Sequence, residues 1–123
     1  KDWCIRQDKQ NKQPSYCWFF DRQLPGDENG AWHSSELWYF FGTLKNGWRP
    51  FEEKDYALSD VMSSYLCNFV KTGNPNGEGL VEWKQAKAGQ KEVIRLGEGK
   101  VRMGKVSKAK LLWTTITNKN VGE

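Results

Sequence analysis

The strongest pattern in the chain begins after a polar, acidic opening at Glu52, Glu53 and Asp55. From there Leu58, Val61, Met62, Tyr65, Phe69 and Val70 recur at intervals of three and four, and Leu66 and Cys67 widen the stripe. This spacing predicts one long helix with a single buried face. Acidic residues in its first turn suit the helix dipole, and Gly73 followed by Asn74-Pro75-Asn76-Gly77 ends it. Upstream, Ser15 to Phe20 is a short, nearly continuous apolar run, the pattern of a strand buried on both faces of a mostly parallel sheet. A polar loop with turn chemistry follows, Asp21 to Gly30, and then residues 34–41 read as a helix ending at Gly42. Downstream the period changes to two. Glu92, Ile94 and Leu96 alternate with Val93 and Arg95, and past Gly97-Glu98-Gly99 Val101 and Met103 alternate with Arg102 and Gly104, which predicts a β-hairpin. Ser107 is placed to cap a last helix with Ala109, Leu112, Trp113 and Ile116 on one face. Residues 2–10 suit a short, weakly patterned helix end broken by Asn11-Lys12-Gln13-Pro14. The alternation of strand and helix predicts an α/β fold.

Composition adds a constraint on size. A chain of 123 residues forms one domain with a modest core, yet aromatics are 14% of it. Eleven of them crowd residues 16–51, from Tyr16 to Phe51. Burying each stabilises by roughly 1.5–3 kcal/mol, and leaving several in water favours association. The density suits a segment from the interior of something larger, and the chain alone is expected to self-associate or domain-swap.

Charge narrows the partners. Residues 1–83 carry 9 Lys/Arg against 12 Asp/Glu, a balance of −3, whereas residues 84–110 carry 9 Lys/Arg against Glu92 and Glu98, a balance of +7. No base-reading module accompanies that basic stretch. It reads as a solvated hairpin whose lysines keep an edge from pairing, and no nucleic-acid partner is expected. No apolar run is long enough for a membrane helix, and no apolar run follows Lys1-Asp2-Trp3 as in a signal peptide. Cys4, Cys17 and Cys67 are an odd number without a recognisable spacing. They read first as buried free thiols, next as one disulfide plus a spare, and they leave the compartment open. Without a close Cys pair no metal site is expected.

Candidate chemistry centres on His33, the only histidine, at the end of the loop that follows the first predicted strand. Ligands in α/β sheets bind just past the carboxyl ends of strands, so a role in chemistry stands beside the plainer reading of a loop or helix-cap histidine. Glu36 follows at the spacing of a capping box, where its carboxylate is able to reach back to the His33 amide and fix the loop, or else is solvated. Trp32 adjoins the imidazole as a candidate substrate wall, while Ser34 and Ser35 read as helix-start residues and Asp27 and Glu28 as turn residues. None of the seven serines has Gly two positions before it, so a Gly-x-Ser-x-Gly nucleophile elbow is absent from the sequence.

Several blocks occur together and in order: Tyr16 to Asp21; Gly30-Ala31-Trp32-His33-Ser34-Ser35-Glu36-Leu37; Ala57 to Tyr65 with Asn68-Phe69; Thr72-Gly73-Asn74-Pro75-Asn76; then Trp83 and the hairpin. This order resembles the C-terminal end of the type B carboxylesterases, serine hydrolases of the α/β-hydrolase fold. The resemblance implies a late sheet strand, a histidine loop, a long helix, a β-hairpin and a C-terminal helix. Residues 1–123 would then be the C-terminal part of a single carboxylesterase domain. It further implies that His33 is the histidine of a Ser-His-Glu/Asp triad whose nucleophile, acid and oxyanion hole lie upstream. A small-molecule carboxylic ester would be the parent's substrate, with no cofactor and no metal, and a secreted or periplasmic address fits the family. The fragment alone is expected to be inactive. The rival expectation is a small non-enzymatic binding module that stacks its aromatics on sugars or peptides.

Overall fold

The computed structural model describes residues 2–97 and 100–106. Its elements are α1 (Asp2–Lys9), β1 (Trp18–Phe20), α2 (Leu37–Phe40), a 3-10 turn (Leu44–Asn46), α3 (Glu53–Thr72), β2 (Glu92–Leu96) and β3 (Arg102–Lys105). The expected last helix and the tail lie outside the described residues, as does part of the hairpin turn. β1 pairs with β2 in parallel, Trp18 opposite Ile94 and Phe20 opposite Leu96. β2 pairs with β3 antiparallel, Glu92 opposite Lys105 and Arg95 opposite Arg102. The order β1-β2-β3 makes β1 an edge of this small sheet.

α3 runs as the sequence predicts. Gly73 ends it at φ 76°, a left-handed conformation that glycine adopts without Cβ strain, and donates its N–H to Phe69 O at 2.7 Å. Leu58, Met62 and Tyr65 are buried and Val61 is half-buried, but the stripe stops there. Phe69 is exposed and Val70 is 75% exposed, because the last turn runs on with little of the described chain to cover it. Cys67 is likewise exposed, contrary to a reading of all three thiols as buried.

The core lies between α3 and one face of the sheet and consists of Leu24, Tyr39, Leu44, Leu58, Met62, Tyr65, Trp83, Ile94 and Leu96. α2 is laid across α3 by polar contacts: Ser59 Oγ donates to Tyr39 O at 2.8 Å, and Ser63 Oγ reaches Tyr39 O and Phe40 O at 3.1 Å. Carbonyls near the end of a helix lack partners within it; Ser63 supplies one to Phe40 O, while Tyr39 O also accepts the Gly42 N–H at 3.3 Å. The exit turn of α3 is equally bound. Asn76 accepts the Trp83 N–H at 2.6 Å and donates back to Trp83 O at 3.1 Å, while the Trp83 indole donates to Cys17 O at 3.1 Å. The Asn-Pro-Asn turn thus sets Trp83, and Trp83 holds the chain entering β1.

Contrary to the expectation of a strand buried on both faces, β1 leaves Trp18 47% exposed, bordering an open apolar groove that no element of the described chain fills. The helix expected over 34–41 is only Leu37–Phe40, because Ser34 takes a left-handed backbone (φ 67°) that helical geometry does not accommodate.

A buried ion pair joins the loop after β1 to the start of α3. Arg22 Nε and Nη2 donate to Asp55 Oδ1 and Oδ2 at 2.7 and 3.2 Å. The same carboxylate accepts the Tyr39 hydroxyl at 2.8 Å and the Glu52 N–H at 2.9 Å. Burial alone pushes the Asp55 carboxyl up, but the bonds from Arg22, Glu52 and Tyr39 outweigh it and hold its pKa below the ordinary carboxylate value. Burial also pushes the Tyr39 hydroxyl up, so it stays a donor.

Asp55→Ala strands a buried guanidinium and a phenol, and the expected loss is about 3–5 kcal/mol in urea unfolding followed by circular dichroism. A loss within 0.5 kcal/mol, roughly that of a neutral surface change, would refute the central role given to this carboxylate. A depressed pKa means that the folded protein binds fewer protons at Asp55 than the unfolded chain does. Its contribution is therefore full above the unfolded value of about 4 and disappears as pH falls through the folded value. The stability gap between the wild type and Asp55→Asn should shrink on acidification below about pH 4.

Candidate active site

The site is built outward from the end of β1. Phe20 is the last strand residue, and Asp21 stays with the sheet through its N–H on Leu96 O at 3.0 Å and an ion pair with Arg95. Gly97 lets the hairpin pass close by: a Cβ there would lie 2.4 Å from the Arg22 amide nitrogen, a separation that no side chain tolerates. Arg22 then turns into the core to meet Asp55, and Leu24 follows it into the core. The polar loop therefore leaves the sheet with two of its residues already buried.

Beyond Leu24 the loop is fastened by side chains. Gln23 Nε2 donates to Leu24 O at 3.0 Å and to Asp27 O at 2.7 Å, and Asp27 Oδ1 accepts the Asn29 N–H at 3.0 Å. Arg49 reaches across from the connection before α3. Its guanidinium donates to Pro25 O at 2.8 Å and to Asp27 Oδ2 at 2.5 Å. The Arg49 hydrogen bond, with help from the Asn29 N–H, holds the Asp27 carboxyl below its ordinary value. The same guanidinium lies over the Trp48 ring at 4.7 Å and the Trp32 ring at 5.7 Å, and Trp32 meets Trp38 edge to face at 5.6 Å.

His33 comes directly after Trp32 and is exposed. Its Nδ1 lies 2.7 Å from Ser34 Oγ. The contact admits two directions: the hydroxyl donates to Nδ1, or a protonated Nδ1 donates to the hydroxyl. In the second, Nε2 carries a lone pair toward solvent, the state that a general base requires. Among the described residues no carboxylate is hydrogen-bonded to the imidazole. Turns from Trp32 O to Ser35 N–H (3.1 Å) and Ser34 O to Leu37 N–H (3.2 Å) carry the chain into α2.

The three residues singled out in the sequence are thus adjacent but not convergent. Trp32 and His33 share the exposed rim of the loop. Glu36 is the residue preceding α2 and makes no cap hydrogen bond, so it does not stand third in the helix, as a capping box with His33 requires. Its side chain instead borders an apolar groove of about 330 Å³ lined by Tyr16, Trp18, Leu37, Phe40 and Phe69. The capping-box carboxylate in this fold is Asp55 on Glu52. Two groups at the site are not apparent from the sequence. Ser34 reads there as a helix-start residue, although a serine beside a lone histidine is a local partner within reach. The contact of Arg49 with Asp27 spans 22 residues, and nothing local signals it. Among the described residues there is no cluster of three or more His, Cys, Asp or Glu suited to a metal ion, and no helix long and apolar enough to cross a membrane.

Comparison with known proteins gives this loop its context. Residues 2–112 match the model of the carboxylesterase family. Carboxylesterase 1C of Rattus norvegicus is 35% identical over 106 residues, covering 83% of this chain and 18% of that protein. Carboxylesterase 4A of Bos taurus is 36% identical over 80 residues, covering 57% and 14%. Among solved structures, an esterase from anaerobic Clostridium hathewayi, described as able to hydrolyse aliphatic aromatic polyesters, superimposes with a TM-score of 0.73 at 20% identity over 83% of this chain and 21% of its own. A PNB esterase does so with a TM-score of 0.65 at 24% identity over 81% and 21%. The described elements are thus a portion of the α/β-hydrolase fold, and the chain spans less than a fifth of the length of the first two relatives. With a family model matched along nearly its whole length, the chain belongs to the carboxylesterase family.

Proposed function

We propose that residues 1–123 are the C-terminal part of a carboxylesterase domain and supply the histidine of a Ser-His-Glu/Asp triad. The observation that carries this reading is the position of His33. It is the one histidine in a carboxylesterase-family chain, on a fastened loop just beyond the carboxyl end of a parallel strand, with one ring nitrogen held and the other toward solvent. In the reaction, a serine hydroxyl from sequence outside this chain attacks the ester carbonyl and passes its proton to Nε2. The imidazolium returns that proton to the departing alkoxide, and water then repeats the cycle on the acyl-serine. The acid and the oxyanion hole also come from outside this chain. The acid would take Nδ1 in place of the Ser34 hydroxyl, Trp32 would form a wall beside the imidazole, and Glu36, which makes no cap hydrogen bond in this structure, would support the loop from its exit only once the upstream sequence is present. The substrate class is a small carboxylic ester. The rival, a non-enzymatic aromatic binding module, gains some support from Trp48 at 74% exposure, but it does not account for the family match.

The chain alone is expected to hydrolyse a nitrophenyl ester no faster than free imidazole at equal concentration. Faster turnover would sink the requirement for outside groups. In a domain completed by the upstream carboxylesterase sequence, His33→Ala should remove at least three orders of magnitude from kcat, as loss of a triad member does. Glu36→Gln should slow turnover without abolishing it. Full activity of His33→Ala would end the reading.

Arg49 is read as the strap of the histidine loop. Arg49→Met should shift or broaden the Trp32 indole and His33 ring signals in nuclear magnetic resonance spectra while leaving the Trp83 indole in place. Unchanged Trp32 and His33 signals would show that the loop stands without the strap.

The apolar groove and exposed Trp3, Trp18, Phe41 and Trp48 support self-association of the isolated chain. Light scattering should give a mass that rises with concentration, and a constant monomer mass at high concentration would contradict it.

A further inference from the structure

Two of the three cysteines meet in the fold. Cys4 Sγ and Cys17 Sγ lie 3.3 Å apart although thirteen positions separate them in sequence. Both are half-buried, whereas Cys67 stands exposed on α3. The two sulfurs rest on unlike supports. Cys17 precedes β1, and its carbonyl accepts both the Ile94 N–H at 3.2 Å and the Trp83 indole N–H at 3.1 Å. Cys4 rides on the first turn of α1, where it is half-buried together with Ile5. α1 has a polar tie at its far end, where Asp8 Oδ2 accepts the Ala88 N–H at 3.4 Å. One sulfur is therefore held at the start of the sheet and the other is carried by a helix of eight residues.

We propose that Cys4 and Cys17 are a thiol–disulfide pair that fastens α1 to the strand leading into the histidine loop. A disulfide brings its sulfurs to roughly 2.0 Å, so the two sulfurs must close by about 1 Å. The oxidant is a small-molecule or protein disulfide. One cysteine thiolate attacks it, forming a mixed disulfide and releasing one thiol. The second thiolate then attacks the mixed sulfur and displaces the other thiol. The two cysteines lose two electrons and two protons, the oxidant gains them, and the balance closes. A metal reading of the pair fails, since among the described residues no third ligand joins the two sulfurs. The inference holds whether or not the chain belongs to a working hydrolase.

The test equilibrates the full chain with mixtures of reduced and oxidised glutathione, quenches with acid, alkylates free thiols and maps the peptides. The expected product is a single internal crosslink between the peptides bearing Cys4 and Cys17, with Cys67 alkylated. The Cys67→Ser variant should form the same crosslink, and Cys4→Ser or Cys17→Ser should stop at a glutathione adduct. Closing this short loop should raise Tm by on the order of 10 °C. Independent glutathione adducts at Cys4 and Cys17 in the wild type, or a crosslink that includes Cys67, would overturn the pairing. A Cys4–Cys17 crosslink that leaves Tm unmoved would overturn the fastening.

Discussion

One carboxylate orders this structure. Asp55 is fully buried and receives four donors: two from Arg22, the Tyr39 hydroxyl and the Glu52 N–H. The three donor residues belong to different parts of the chain. Arg22 opens the loop after β1, Tyr39 lies in α2, and Glu52 starts α3. A buried charge is costly unless its partners satisfy it, so the three segments cannot separate without leaving one charge unmet. The register of the loop against the helices therefore follows from electrostatics as much as from packing. The hydrophobic contacts of Phe20, Tyr39 and Phe51, with ring centroids 5.2–6.0 Å apart, then fill the space around it.

From that carboxylate outward, order passes to the histidine loop by short steps. Arg22 is buried, Leu24 is buried beside it, and Gln23 and Arg49 bond the loop from two sides. His33 stands at the end of this chain of restraints with its own side chain in solvent. Such an arrangement suits a group that must meet something larger. The backbone bears the entropy cost of positioning beforehand, and the imidazole is left open to a partner. The left-handed Ser34 fits the same logic, since a non-glycine residue holds that conformation only where its surroundings impose it.

What the sequence disclosed follows from the range of each interaction. α3, its Gly73 terminus and the hairpin were legible because they are written in periodicity and in local end signals. The histidine was legible because it is alone and stands in a resembling block. Asp55 was legible only as an acidic first-turn residue, whereas its partner Arg22 lies 33 positions away. Arg49 on Asp27 and Cys4 on Cys17 were hidden for the same reason: a long-range pair leaves no mark on the spacing of either residue. The excess length expected of α2 and the burial expected of Val70 are errors of another kind. Local pattern set both, and tertiary context, the Ser34 backbone and the end of the packed region, overrode them.

The same contrast separates the polar and apolar halves of the molecule. Its ionic centre is closed, with every oxygen of Asp55 engaged, while much of its aromatic surface is not: Trp18, Phe41 and Phe69 face a groove or solvent, and β1 offers one edge without a partner in the described sheet. A closed polar centre makes a local fold specific, and an open apolar face beside a sheet edge is what a larger sheet and its helices would cover. Burial energy spread over those aromatics would then add to a polar centre that is already complete, so the two halves of the molecule answer to different forces: Asp55 fixes which segments meet, and the apolar face determines what more can be joined to them.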